Sequence, residues 1–430
     1  MSLPIQTKMA IVGAGPHALT LVTHLLQKRK NYRHKIIVFD PSATWMSQWR
    51  QQFAGQEIPH LRSPAVHHPD PDPYSLRRFA ENRPNELFPP YDLPGTKLFQ
   101  EFSQDVVSRW QLENKVYKAS VTNIAPITYR GNPQFRVELD DGNSTIARQV
   151  IMANGGGKPQ LPQWTKKILT PYPNQCLCHS HQVDLRNLRL RGEKVLIIGG
   201  GLTSGHLALG ALKRGANVTL MVRRQLKEKL FDAEPGWLGP KYLKGFSAET
   251  DWQKRWNLIQ QARDGGSMTP AVMTQLRRYQ HQDELSIFEK CQVVSAEFVG
   301  DRWRLKCDDG TRWEYHRIWL ATGTKLNVTQ QPILQEVLNT HPVKIVNGLP
   351  ILDEYLRWSG CELFIMGGLA ALQVGPVARN LSGARMASSR IVSALKLKLW
   401  KKNVKTYNHC SSWYTGSRQN KFYSQTNPIS

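Results

Sequence analysis

"KMAIVGAGPHALTLVTHLL", residues 8–26, is the stretch on which the fold turns. Met9-Ala10-Ile11-Val12 is the continuous apolar run expected of a parallel strand buried on both faces. Gly13-Ala14-Gly15-Pro16-His17-Ala18 then reads G-x-G-x-x-A. The first glycine lets the chain turn tightly, the second lets its backbone approach a pyrophosphate, and small Ala18 lets helix and strand pack closely. The helix that follows points its free N–H groups at the phosphates. A second strand, "HKIIVFD" (34–40), ends in Asp40, 25 residues after Gly15. A carboxylate there accepts hydrogen bonds from ribose hydroxyls and repels a 2′-phosphate. The first turn therefore suits FAD or NAD, although incidental glycines in an ordinary strand-turn-helix would read the same way.

A second copy, "KVLIIGGGLTSGHLALGAL", occupies residues 194–212, with small residues Gly199, Gly201 and Ser204 at the first, third and sixth places. Its next strand, "ANVTLMVRR" (216–224), ends in Arg223 and Arg224 instead of an acid. Two guanidiniums at that point are what a 2′-phosphate requires. A solvated basic strand end is the blander account. Two nucleotide sites of different preference imply electron transfer between two cofactors, FAD in the first and NADPH in the second.

"QVIMANGGGKPQLP" (149–162) and "RIWLATGT" (317–324, with Gly323) each place a strand before a small-residue turn, the setting of a crossing between domains. "CELFIMGGLAALQVGPVARNLSGARMASSRIV" (361–392) reads as a strand, the Gly367-Gly368 pair and a long helix that includes Gly375. The expected architecture is α/β, two Rossmann-like dinucleotide-binding domains with the NADPH domain inserted into the FAD domain. Residues 1–165 and 326–395 form the FAD domain, 166–325 the NADPH domain with a helical insertion, and 396–430 a flexible basic tail.

With 430 residues and 40% hydrophobic content, the chain supports several real cores. No apolar stretch reaches the ~18 residues of a spanning helix, and no signal-peptide region precedes the first strand. The six cysteines show neither framework spacing nor a C-x-x-C pair, which fits a reducing, cytoplasmic compartment. "CLCHSHQ" (176–182) brings two cysteines and two histidines together, but its cysteine spacing is not that of a zinc loop, and no metal is expected. The net charge is +24, and the segment 396–430 carries seven basic residues and no acid. Such a tail favours an anionic membrane surface or an acidic partner, or is simply solvated. No nucleic-acid motif accompanies the charge.

Over roughly residues 8–395 the chain resembles the class B flavoprotein monooxygenases, above all the lysine/ornithine N-hydroxylase branch. "DPDPYSL" (70–76) is similar to that branch's D-P-x-S-P-Y-S-F segment, and "HSHQVDL" (179–185) to the H-S segment before the second glycine turn. The branch's K-D-L run is replaced by "LRSPAVHH" (61–68), and "FDAEPGWLGPKYLKGF" (231–246) and "ARDGGSMTP" (262–270) match no motif.

The resemblance implies hydride transfer from NADPH to FAD, then oxygenation of a small nucleophilic substrate by O₂ through a C4a-hydroperoxyflavin, with an amine as the N-hydroxylated group. It also implies that the C-terminal helix faces the flavin, and it brings Gln48, Trp49, His60 and Arg62 beside the ring as catalytic candidates. Trp49 equally suits the core, Arg62 a carboxylate or phosphate, and His67 and His68 the surface. The alternatives are an NADPH-dependent flavoprotein reductase serving a quinone, iron chelate or protein, and a cofactor-binding regulator without turnover.

Overall fold

The computed structural model describes residues 2–155 and 157–407, with side chains to residue 395. Met9, Ala10 and Ile11 are wholly buried in the strand Gln6–Val12, which lies between two parallel neighbours, Ile36–Asp40 and Ser144–Met152. Val116–Lys118 extends this sheet beyond Ile36–Asp40. On the other side, Ser144–Met152 changes partner along its length. Its first half pairs antiparallel with Asn132–Leu139, which continues to Val121–Tyr129. Its second half pairs parallel with Leu363–Ile365, so the C-terminal part of the chain closes the same sheet.

Between these visits the chain builds a second parallel sheet in the order Leu177–His179, Arg317–Leu320, Lys194–Ile198, Asn217–Val222, Leu285–Glu289. The antiparallel ribbon Val293–Val299, Arg302–Cys307, Arg312–Tyr315 covers it, burying Trp303, Cys307 and Tyr315 against Leu196, Met221 and Ile318. The two crossings meet: Gly157–Pro159 pairs antiparallel with Thr324–Leu326, and the Gln160 amide donates to the Gly323 carbonyl at 2.9 Å.

Two features depart from the simple reading of the sequence. The helices Pro240–Ala248 and Trp252–Arg263, within the segment expected as part of the NADPH domain, do not pack on the second sheet. Phe246 and Ile259 join the core of the first, and buried Arg255 donates to the Leu372 carbonyl at 3.1 Å. The next helix, Pro270–His281, returns to the second core through Val272, Met273 and Leu276. The C-terminal helix also begins later than expected. Gly367–Ala370, Ala371–Val374 and Pro376–Arg379 are separate short turns, and the long helix runs Leu381–Tyr407. Gly375 at φ +89°, followed by a proline with no N–H, interrupts the ladder.

The long helix lies beside Pro16–Lys28 and runs the same way. His17 Nε2 meets the Ala378 carbonyl at 3.0 Å, and Arg385 binds the Asp70 and Pro71 carbonyls, while Thr23 donates to Pro69. Its backbone continues into the segment read as a flexible tail. The side chains from 396 on and all residues after 407 lie outside the described residues.

Candidate functional site

Both glycine turns are built on one plan. Gly13 has φ +96°, and a Cβ there would lie 2.9 Å from the Ala153 carbonyl oxygen. Gly199 has φ +144°, and its Cβ would lie 2.3 Å from the Ala321 carbonyl oxygen. Each first glycine thus rests on the alanine that opens its own domain's crossing turn, Ala153-Asn154-Gly155 or Ala321-Thr322-Gly323.

The third positions are the opposite case. A Cβ on Gly15 or Gly201 would meet nothing within 4 Å. Both cap a helix, Pro16–Lys28 and Leu202–Leu212, without a side chain taking the first-turn N–H groups. An open approach above uncapped amides is the shape and charge a pyrophosphate needs. The sixth positions, Ala18 and Ser204, are wholly buried, and the Ser204 hydroxyl donates to the Gly201 carbonyl at 2.6 Å.

The strand ends differ as their sequences do. Asp40 accepts the Ala14 amide at 3.0 Å through one oxygen and the Ser42 amide, also at 3.0 Å, through the other, so it braces the first turn. At the second turn Arg223 and Arg224 are exposed. Arg223 makes no hydrogen bond or ion pair among the described residues. Arg224 lies across Gly265, and Gly266 sits against Gly201, where a Cβ would be 3.4 Å from its Cα. The unassigned "DGG" at 264–266 is therefore a wall of the second cradle. Its signal was the glycine pair, at φ +75° and +110°, positions that a side chain would strain. Asp264 binds Lys227 and lies 3.8 Å from Lys229, which keeps this wall cationic.

Of the four catalytic candidates the structure brings together His60 and Arg62, which line one small cavity, while Gln48 and Trp49 do not line it. Gln48 is exposed near the start of the helix Ser47–Gly55, just after Met46, whose amide donates to the Ala14 carbonyl at 2.8 Å. Trp49 stacks on Phe53 at 4.2 Å and tilts onto Phe99, a packing role. His60 stacks on Phe88 and, with His206, lines a small cavity against the helix Leu202–Leu212. Burial holds the His206 imidazole down at about 4, so it is neutral at physiological pH.

Arg62 is consumed by protein. It donates to the Leu230 carbonyl at 2.9 Å, to the Lys229 carbonyl at 2.6 Å and to the Ser267 hydroxyl at 2.8 Å, and lies 3.6 Å from Asp232. Asp232 also takes Arg263, which reaches the Pro376 carbonyl. This network ties the segment around Arg62 to the loops at 229–232 and 263–267 and on to Pro376, and the long reach of its contacts explains why a lone arginine was unreadable in sequence.

Of the remaining expectations, Gly323 sits at φ +78° with nothing within 4 Å of where its Cβ would stand, whereas Gly368 is a packing glycine, since a Cβ would strike Leu326 at 2.5 Å. Gly367 has φ +74° and open space around it. Exposed Arg379 reaches from beside Gly368 to the Thr324 hydroxyl at the crossing. His68 is not a surface residue. It is wholly buried, its ring edge-on to Phe102, and burial lowers its pKa to about 4. It orders the "DPDP" segment, in which Asp70 accepts Arg109 at 2.9 Å and Trp110 at 3.2 Å. Within "CLCHSHQ", His179 spends its ring nitrogens on the Gly323 carbonyl and the His181 amide, and no ion-binding group forms there among the described residues.

Residues 97–325 match the profile of the L-lysine 6-monooxygenase/L-ornithine 5-monooxygenase family, and residues 10–157 an FAD-NAD(P)-binding profile. The chain is 26% identical over 324 residues to L-lysine N6-monooxygenase of Escherichia coli, covering 68% of this chain and 72% of that one. It is also 26% identical over 243 residues to trimethylamine monooxygenase of Pelagibacter ubique (strain HTCC1002), covering 50% and 51%. The ornithine N-hydroxylase of Kutzneria sp. 744, solved with reduced FAD, NADP⁺ and L-ornithine, superposes with a TM-score of 0.73 at 18% identity, covering 91% of this chain and 99% of that one.

Proposed function

Because the chain belongs to the L-lysine 6-monooxygenase/L-ornithine 5-monooxygenase family and is an FAD- and NADPH-dependent oxidoreductase, we propose that it oxygenates the nitrogen of a small amine with O₂. The observation that carries this reading is the pair of open, uncapped glycine turns whose following strands end in opposite charge, Asp40 at one and Arg223–Arg224 at the other.

Gly15 and the helix Pro16–Lys28 would hold the FAD pyrophosphate, with Asp40 at its ribose. Gly201 and the helix Leu202–Leu212 would hold that of NADPH, with Arg223 and Arg224 at the 2′-phosphate. FAD, when bound, accepts the hydride and activates oxygen. The chain's own work is to align the two nucleotides and exclude water. The paired crossings and the Arg62–Asp232–Arg263 network, which fix distant segments to one another, serve that purpose. Gln48 is the candidate left open beside the first turn.

The thiols do not favour disulfide reduction. Burial raises the Cys176 and Cys178 thiols above their ordinary range and Cys361 to about 11, so none is a poised thiolate.

The test is product analysis with flavin-loaded enzyme, NADPH and, in turn, L-lysine, L-ornithine, cadaverine and trimethylamine. A hydroxylamine or N-oxide, formed in step with NADPH consumed, is expected for at least one. Peroxide alone with all four, or electrons passed only to a quinone or ferric chelate, overturns the reading.

The segment 396–430, with seven basic residues and no acid, supports attraction to an anionic phospholipid surface. Salt-sensitive sedimentation with phosphatidylserine vesicles, lost on deleting this segment while flavin stays bound, is the expected result. Equal sedimentation of both forms removes it. Among the described residues no helix is long and apolar enough to cross a membrane.

A further inference from the structure

Beside the end of the strand Asn217–Val222, the covering ribbon of the second sheet gathers two thiols and a carboxylate. Cys291 follows the strand Leu285–Glu289, Cys307 ends the strand Arg302–Cys307, and Asp309 lies in the turn after it. The two sulfurs and a carboxylate oxygen all lie within 4.8 Å of one another. Both cysteines are buried and Asp309 is exposed, so the group opens to solvent on one side.

The backbone under these residues is fixed by bonds that owe nothing to an ion. The Cys291 amide donates to the Val222 carbonyl at 3.2 Å, and the Cys307 amide to the Thr311 carbonyl at 2.9 Å. The Gln292 and Asp308 backbones join at 2.9 Å. Asp309 accepts the Thr311 amide and hydroxyl through a single oxygen, at 2.9 and 2.6 Å, which fixes its carboxylate in the turn.

A second, independent observation lies beside them. The buried Tyr315 hydroxyl, 3% exposed as a residue, makes no hydrogen bond of proper geometry, although Thr219 is near it. Tyr315 packs in the same buried cluster as Cys291 and Cys307. A buried hydroxyl in the cluster that holds both thiols is a further oxygen donor beside the group.

We propose that Cys291, Cys307 and Asp309 bind a borderline-soft divalent cation of the Zn²⁺ type, with the Tyr315 hydroxyl or a water in the fourth position. Tetrahedral zinc with Zn–S of about 2.3 Å and Zn–O of about 2.1 Å sets its ligand atoms roughly 3.5–3.8 Å apart, so rotation of side chains closes the observed group onto an ion. Binding displaces the thiol protons to solvent and involves no change of oxidation state. The site is structural. Through the Val222 carbonyl it pins the end of the strand Asn217–Val222, from which Arg223 and Arg224 project. The sequence hid it because the two cysteines are separated by a whole strand and hairpin instead of a short knuckle.

Untagged, full-length, flavin-loaded enzyme stripped with chelator and dialysed against Zn²⁺ should retain one equivalent. Co²⁺ in its place should give thiolate ligand-field bands at wavelengths beyond the flavin absorption. Cys307→Ser should abolish both. Asp309→Asn, which preserves the turn's acceptor on an exposed residue and therefore the fold, should weaken Zn²⁺ binding by about tenfold or more. A Cys176→Ser/Cys178→Ser variant should behave as the parent does. Substoichiometric zinc, cobalt spectra without thiolate bands, Asp309→Asn binding as tightly as the parent, or a Cys291–Cys307 disulfide found by mass spectrometry in the native protein would each overturn the assignment.

Discussion

Gly15→Val is expected to purify folded and colourless. At φ −80° and ψ −172° a valine adopts the Gly15 backbone without strain, and nothing of the protein lies within 4 Å of where its Cβ would stand. The branched side chain enters the cradle above the uncapped amides of Pro16–Lys28, the space in which a pyrophosphate would sit. Loss of that approach should weaken FAD binding by on the order of a hundredfold or more, ~2.8 kcal/mol at the least. Absorbance at the flavin band per mole of protein measures the occupancy, and circular dichroism measures the fold. A lower melting temperature than the wild-type holoenzyme follows from lost ligand linkage alone, so the comparison is with flavin-stripped wild type. A yellow, fully loaded Gly15→Val protein would place the flavin elsewhere. Gly13 is the internal control: at φ +96°, with Ala153 and Asn154 backbone 2.9 Å from its Cβ, Gly13→Val should fail to fold at all.

The contrast between these two glycines shows what could be read from sequence. Local chemistry was legible: the G-x-G-x-x-A order assigns the turn to Gly13, the open approach to Gly15 and the close packing to Ala18, and each does that in the fold. The Ala-x-Gly crossings were legible as strand ends. That each crossing's alanine carbonyl is the floor under its domain's first glycine was not, because Ala153 and Ala321 meet Gly13 and Gly199 only through sheet pairing.

What stayed hidden was long-range. Arg62 carries no local mark to say that its donors end on carbonyls at 229 and 230. The helices at 240–263 have an amphipathic face in sequence, but nothing there states which sheet it covers. His68 looked exposed because prolines surround it, yet those prolines bend the segment under the helices Pro16–Lys28 and Thr96–Arg109, where it is buried. The break at Gly375-Pro376 was visible in the residues and was overridden by the helical spacing around it.

The preference for NADPH should collapse in an Arg223→Ala/Arg224→Ala variant. Arg223 is exposed and has no partner among the described residues, so its charge is free for a ligand. Arg224 lies over Gly265, which aims its guanidinium across the same strand end. Asp264 feels the charge of Arg224 but forms its ion pairs with Lys227 and Lys229, so the strand-end guanidiniums form no ion pair with it. Losing charge-assisted hydrogen bonds to a 2′-phosphate costs about 1.5–3 kcal/mol, or roughly ten- to a hundredfold in kcat/KM for NADPH over NADH. NADH, which has no 2′-phosphate, should lose little.

The loss should appear in KM, because the phosphate is bound equally before and during hydride transfer. It should shrink as ionic strength rises, because both groups are solvent-facing and screened. Each single variant separates the contributions: Arg223→Ala removes charge alone, whereas Arg224→Ala also uncovers Gly265 at the wall of the cradle and should raise KM for both nucleotides. Steady-state kinetics with NADPH and NADH at two salt concentrations measures all three effects. An unchanged NADPH to NADH ratio in the double variant would mean that Lys227 and Lys229, not the strand-end arginines, read the phosphate.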